Sequence, residues 1–311
     1  MTGPGANKMP ERIDLKITFD CNNKCDFCAQ GDKRNYHEPA RSRKIFLELE
    51  KAARNGLDSV VFTGGEPTLH PELETFVRKA RECGFGVIQL QTNGQSLSDL
   101  SFLKRLKKAG LTEVSPALHG SDPSTHDRLT RNEGSFLRTL AGISNCVKLG
   151  LPVISNTVIN SLNYMQAPEI AAILLKLGVS QFQFAFVHVV GTALRNRDWI
   201  VPKKTEALPY IKKGLDLGRK AGVPCYTEAV PFCLMKGYED CVAERIIPDH
   251  YIVDAGFIVK NYGEHRRKHG KAKRKECSAC KYFAVCEGPW KEYPGIYGWE
   301  EFVPVKKKRR V

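Results

Sequence analysis

Cys21, Cys25 and Cys28 stand in the spacing C-x3-C-x2-C within the stretch ITFDCNNKCDFCAQG. A cubane four-iron four-sulfur cluster needs thiolate ligands, and a set of three leaves one iron open for a substrate or cofactor to coordinate. That open iron is the expected seat of the chemistry. Zinc also accepts cysteine thiolates, but its usual C-x2-C half-site is followed by a second pair. No such pair appears until the far C-terminus, where Cys277, Cys280 and Cys286 form C-x2-C-x5-C, with Cys233 and Cys241 upstream. There zinc remains a rival reading, because C-x2-C is its commonest half-site.

Two further motifs follow apolar runs. Ser59 to Phe62 leads into Thr63-Gly64-Gly65-Glu66-Pro67, and Val87 to Leu90 leads into Gln91-Thr92-Asn93-Gly94. Taken alone, a glycine pair or an Asn-Gly step is a tight turn. Both lie where a strand should end, as does the cysteine trio after Asp14 to Phe19.

The elements that must position these residues alternate in type. Strand-like runs fall near 13–19, 59–63, 86–91, 113–118, 152–159 and 181–187. Helical periodicity fills the gaps, over Ile45 to Arg54, Pro71 to Cys83, Leu100 to Ala109, Phe136 to Leu149 and Ala167 to Leu177, each closed by a glycine within a few residues. Repeated βα units predict an α/β fold with a parallel sheet, whose ligand sites gather on the loops after the strands. From about Asn196 the composition shifts to a helix (Lys204 to Ala221), a short strand near 224–227 and a loop-rich, cysteine-bearing end. The expected division is a flexible N-terminus (1–11), a barrel (12–195), a smaller auxiliary domain (196–303) and a basic tail (304–311).

With these motifs at strand ends, the chain resembles the radical S-adenosylmethionine superfamily, whose fold is a partial (β/α)6 TIM-like barrel. The resemblance implies that Cys21, Cys25 and Cys28 hold a [4Fe-4S] cluster whose open iron is chelated by S-adenosylmethionine. It implies reductive cleavage to a 5′-deoxyadenosyl radical that takes hydrogen from a substrate, with flavodoxin or ferredoxin as electron donor. Phe27 matches the aromatic beside the adenine, Gly64 and Gly65 the close backbone approach to the methionyl group, Glu66 the acceptor for its ammonium, and Asn93 the ribose contact. Ala117-Leu118-His119-Gly120, then His126-Asp127-Arg128-Leu129-Thr130-Arg131 and Gly134-Ser135-Phe136, resemble elements of family members with an added C-terminal cluster. There a serine and an arginine hold the methionyl carboxylate; Ala117 replaces the serine, leaving Arg131. Asn156 is a further polar contact, and His119 either lines the site or is a satisfied structural group. The C-terminal cysteines resemble the shortened SPASM (twitch) domain, implying a second [4Fe-4S] cluster on Cys233, Cys277, Cys280 and Cys286, with Cys241 replacing Cys233 or standing outside the site.

Composition bounds the function classes. In 311 residues, 42% are hydrophobic and 26% charged, as in a globular protein with a sizeable core. No apolar run could span a bilayer and the first residues lack a secretory core, so a cytoplasmic protein with no membrane partner is expected. Eleven cysteines in such a chain read as metal ligands rather than disulfides; Cys83, Cys146 and Cys225 stand apart and receive no function. The net charge of +14 is concentrated in His265 to Lys275 and the tail Lys306 to Arg310, and reads as a solvated loop and a frayed end rather than a nucleic-acid site. The first expectation for function is peptide maturation, with a separate leader-binding protein because the barrel pattern starts at about residue 12. The alternative is small-molecule or cofactor biosynthesis, with nucleic-acid modification and a non-catalytic iron–sulfur protein behind it. No cobalamin-binding domain is expected before residue 12.

Overall fold

The computed structural model describes residues 11–306. The expected N-terminus and basic tail lie outside it, apart from Glu11 and residues 304–306.

The alternating pattern folds as βα units. Strands β1 (Arg12–Thr18), β2 (Ser59–Gly64), β3 (Val87–Thr92) and β4 (Glu113–Pro116) pair in parallel, as do β5 (Ile154–Ile159) and β6 (Gln181–Phe186). Between β4 and β5 the ladder thins to the isolated bridges Val114↔Val153 and Ala117↔Asn156. Pro116 and Pro152 flank this seam, and proline donates nothing to a ladder. The result is a partial TIM-like barrel.

The helices lie outside because each carries one apolar stripe. In α1 (Ser42–Arg54) the stripe is Ile45, Leu49 and Ala52; in α2 (Leu73–Glu82) it is Leu73, Phe76, Val77 and Ala80. The Asp99 carboxylate caps α3 (Leu100–Ala109) by accepting from the Ser101 and Phe102 amides at 2.8 and 3.3 Å. The ring continues with α4 (Pro123–Thr130), α5 (Ser135–Lys148), α6 (Ala167–Leu177), the short turns α7 (Thr192–Arg195) and α8 (Arg197–Ile200), and α9 (Lys204–Ala221). Two glycines of α9 let it approach the sheet: a Cβ on Gly214 would lie 2.7 Å from the Phe184 ring, and one on Gly218 2.6 Å from Cys225 Sγ.

The six expected strands are found, with ends shifted by one or two residues. Beyond Asn196, in the stretch expected to form a smaller auxiliary domain, the chain adds strands to the sheet. β7 (Cys225–Glu228) pairs in parallel with β6, while β8 (His250–Val253) pairs in parallel with β1, placing Leu15 opposite Val253. A two-residue β9 (Ile258–Val259) runs antiparallel to β8. Residues 196–303 thus extend both edges of the barrel, and Val201, Phe232, Trp290, Tyr293 and Phe302 join its hydrophobic core. The four residues of β8 are too few for an alternating pattern to register.

The basic run 265–275 also departs from expectation. After α10 (Tyr262–His265), Arg266 is 2% exposed and pairs both ways with Glu287 at 2.7 and 2.9 Å. Lys271 is buried, with Nζ 2.8 Å from Glu244 Oε1 and 3.8 Å from the Trp290 ring centroid. Carboxylates distant in sequence bring these cations in. Arg267 and Lys268 remain on the surface.

Candidate active site at the strand ends

The loop after β1 carries the three cysteines on the pocket floor, and its shape is imposed from three sides. The loop after β2 crosses it: the amides of Gly65 and Glu66 donate to the carbonyls of Thr18 and Asp20, each at 2.7 Å. Only glycine fits that crossing. A Cβ on Gly64, whose φ is 138°, would lie 2.0 Å from Thr18 O, and one on Gly65 2.4 Å from Asp20 O. On the second side, the end of α4 accepts from the loop, Lys24 N to Thr130 O at 2.9 Å and Asp26 N to Leu129 O at 3.1 Å. On the third, Thr192 N reaches Cys28 O at 2.8 Å, and Asn196 Nδ2 reaches Asp26 O at 2.8 Å.

The resulting cavity, about 250 Å³, is lined by Cys21, Cys25 and Cys28 together with strand-end residues of β2 to β5. Gly64 and Gly65 form one wall; Asn93, Ala117 and Asn156 lie along the others. Burial pushes the Cys21 thiol up to about 11 and the Cys25 thiol well above its ordinary value, the neighbouring thiols adding to the latter. Crowded, desolvated thiols of this kind become thiolates when a bound cation supplies compensating charge. Asn156 Oδ1 is buried and has no hydrogen-bond partner within the protein. Three thiols, a glycine wall and an unpaired acceptor around one volume fit an iron–sulfur cluster with an amino-acid-bearing cofactor beside it.

Three expected contacts stand elsewhere. Glu66 is fully buried behind the wall, and its carboxylate already accepts from Thr68 N (3.0 Å), Thr68 Oγ1 (2.6 Å), Thr92 Oγ1 (2.6 Å) and Asn93 N (2.7 Å). Arg131 caps α4 in the left-handed region (φ 52°), is 64% exposed in its side chain, and sits 3.8 Å from Asp26 rather than in the cavity. Phe27 is in the core with its ring edge against His119 at 4.7 Å. His119 is the satisfied structural group: Nδ1 accepts from Val158 N at 3.2 Å, and burial holds its pKa down at about 3.

The motif around residue 127 is scaffold as well. The Asp127 carboxylate accepts from Gly134 N, Ser135 Oγ and Phe136 N at 2.7–2.8 Å, fixing the start of α5. Sequence reasoning missed Arg34, which lines the cavity and donates Nη1 to the carbonyls of Cys21 and Asn23 at 3.0 and 2.9 Å. It also missed the amide network in which Gln95 and Asn132 both donate to Asn23 Oδ1, at 2.8 and 2.9 Å. These side chains meet only in the fold and carry no spacing signature.

A second cavity, about 30 Å³, is ringed by Cys233, Cys277, Cys280 and Cys286. Burial, followed by the three facing cysteines, pushes Cys233 up to about 12. Cys241 does not line this cavity; it is buried near Cys225, whose thiol donates to Leu215 O at 3.3 Å and is held up by Cys241 and by burial. Among the described residues, no three His, Cys, Asp or Glu side chains converge on a point that would hold a single metal ion. No helix among the described residues is long and apolar enough to cross a membrane.

Residues 15–174 match the Radical SAM superfamily, slightly more than half of the chain. A probable GTP 3′,8-cyclase of Saccharolobus solfataricus is 32% identical over 182 residues, 58% of this chain and 58% of that protein. Among solved structures, Streptococcus suis SuiB bound to S-adenosylmethionine superposes with a TM-score of 0.67 at 18% identity, covering 96% of this chain and 77% of SuiB. Native anSMEcpe with bound AdoMet gives 0.65 at 14% identity, covering 90% and 89%. At these identities the two structures establish the likeness of fold.

Proposed function

This chain belongs to the Radical SAM superfamily of iron–sulfur enzymes, and we propose that Cys21, Cys25 and Cys28 hold its [4Fe-4S] cluster while Gly64, Gly65, Asn93 and Asn156 position S-adenosylmethionine against it. Bound there, cluster and cofactor would supply one chemistry, reductive cleavage of the sulfonium carbon–sulfur bond and transfer of a hydrogen atom from the substrate to the 5′-deoxyadenosyl group.

The observation that carries this reading is the three-thiol floor facing the glycine wall, with the unpaired Asn156 Oδ1 beside them. Arg34 holds the cysteine loop by its carbonyls, and the Gly64-Gly65 backbone lets the methionyl group come close. Glu66 braces the β2 and β3 loops from behind.

The substrate we propose is a small molecule of cofactor biosynthesis, with GTP the first compound to test. Support comes from the 32% identity to a probable GTP 3′,8-cyclase across the barrel segment. A peptide substrate is the second reading, favoured by the C-terminal cysteines ringing their own cavity, as the SPASM/twitch resemblance implies. On either reading Cys233, Cys277, Cys280 and Cys286 hold a second cluster.

The test is anaerobic reconstitution with iron and sulfide, then dithionite, S-adenosylmethionine and GTP. Formation of 5′-deoxyadenosine that GTP stimulates, with deuterium passing from labelled GTP into it, supports the small-molecule reading. Abortive cleavage that GTP does not change turns the assignment toward the peptide. Absence of any 5′-deoxyadenosine overturns the cofactor site.

A further inference from the structure

Arg131 lies outside the cofactor cavity, yet the fold holds it in the left-handed region, an arrangement that costs a non-glycine residue about 1 kcal/mol or more. Its position is on the outer face of the cysteine loop. Asp26, 3.8 Å from its guanidinium, is the residue after Cys25. Lys24, the residue before Cys25, is exposed and donates its amide to Thr130 O, so the end of α4 and the loop form one surface. Arg128 and Arg138 are also exposed there, Arg138 donating to Asn132 Oδ1 at 2.9 Å while Asn132 Nδ2 reaches Asn22 O at 3.1 Å. Four cations thus stand against three carboxylates, Asp26, Asp127 and Glu133, and the Asp127 carboxylate is taken up by donors of Gly134, Ser135 and Phe136.

We propose that this face, built by Lys24, Arg128, Arg131 and Arg138, is the docking site of a small acidic one-electron carrier protein. The inference rests on the assignment of Cys21, Cys25 and Cys28 to the cluster. Lys24 and Asp26 flank a ligand directly in the chain, so a carrier seated here is separated from the cluster by the thickness of one loop. The carrier is oxidised by one electron and the cluster reduced by one; no proton or bond changes hands. Charge complementarity selects the partner, because a basic surface on a chain of net charge +14 accelerates encounter with an anionic protein and repels a cationic one.

The test uses the reconstituted enzyme and a purified flavodoxin as the acidic probe. The variant is Lys24→Glu with Arg128→Glu, two exposed side chains that do not line the cavity. Binding of oxidised flavodoxin, read by calorimetry, should weaken about tenfold or more in the variant. In the wild type it should weaken steeply as salt rises through the range where the Debye length falls below roughly 10 Å. Flavodoxin-driven 5′-deoxyadenosine formation should fall in step, while dithionite-driven formation stays at the wild-type rate. Unchanged flavodoxin binding, or loss of iron from the variant, overturns the docking site. Wild-type enzyme that is inert even with dithionite overturns the cluster assignment instead, so the two failures are distinguishable.

Discussion

The Glu66 carboxylate accepts the backbone amide of Asn93 at 2.7 Å, fastening the loop after β2 to the loop after β3 behind the cofactor cavity. Its other oxygen takes both donors of Thr68 and the hydroxyl of Thr92. Replacing Glu66 by alanine strands the buried Thr92 hydroxyl and the half-buried amides of Thr68 and Asn93, and an unmet buried donor costs about 1–3 kcal/mol. The expected result for Glu66→Ala is a protein several kcal/mol less stable in urea unfolding, with weaker S-adenosylmethionine binding as a consequence. Wild-type stability combined with lost binding would return Glu66 to direct contact with the ligand.

Asn156 should behave in the opposite way. Its Oδ1 has no partner within the protein, so Asn156→Ala removes an unsatisfied group and should leave the urea midpoint unchanged or raised. Affinity for S-adenosylmethionine, measured by equilibrium dialysis, should drop by about three- to tenfold, the worth of one hydrogen bond of roughly 0.5–1.5 kcal/mol. Equal binding by the variant removes Asn156 from the site.

Iron content separates the C-terminal cysteines. Wild-type protein should bind about eight irons per chain, two cubanes' worth. Cys233→Ala should lower that number, since Cys233 faces Cys277, Cys280 and Cys286 across the second cavity. Cys241→Ala should leave it intact, because Cys241 does not line that cavity. Stoichiometric zinc without labile sulfide would falsify the second cluster.

The buried histidines set a pH dependence of the apoprotein. Burial holds His119 at about 3 and His126 at about 4, both below the ordinary 6.5. The unfolded chain therefore takes up protons first as pH falls. The stability these rings contribute is complete above about pH 6.5 and is lost as pH drops through the folded-state values, on the order of 3 kcal/mol for His126. Urea midpoints should fall from pH 7 to pH 5, and His126→Asn should flatten that slope by about one proton.

Arg266→Met leaves Glu287 buried with only the half-exposed Arg267, 3.9 Å away, as a charge partner, a loss of up to about 3–5 kcal/mol. Adding Glu287→Leu should restore most of it. A double variant no more stable than the single would show that Arg266 acts through contacts other than the ion pair.

The sequence by itself determined the barrel and the position of the cysteine site within it. Strand and helix periodicities are local, and the three cysteines, Gly64-Gly65 and Asn93 follow directly on strands whose register the parallel sheet then aligns. Contiguous signals of that kind survive without knowledge of the fold. Which side chains face the cavity and which brace it was decided by partners far along the chain. Glu66 turns inward because Thr92 and Asn93 supply donors from the next strand end, while Arg131 turns outward because the Thr130 and Leu129 carbonyls are anchored to the cysteine loop. The same holds for β8, whose four residues become a strand only against the free edge of β1, and for Arg266, which leaves a basic run for the interior only because Glu287 is waiting there. Hydrogen-bond and charge satisfaction is a property of three-dimensional neighbours, and for these residues those neighbours exist only once the chain has closed on itself.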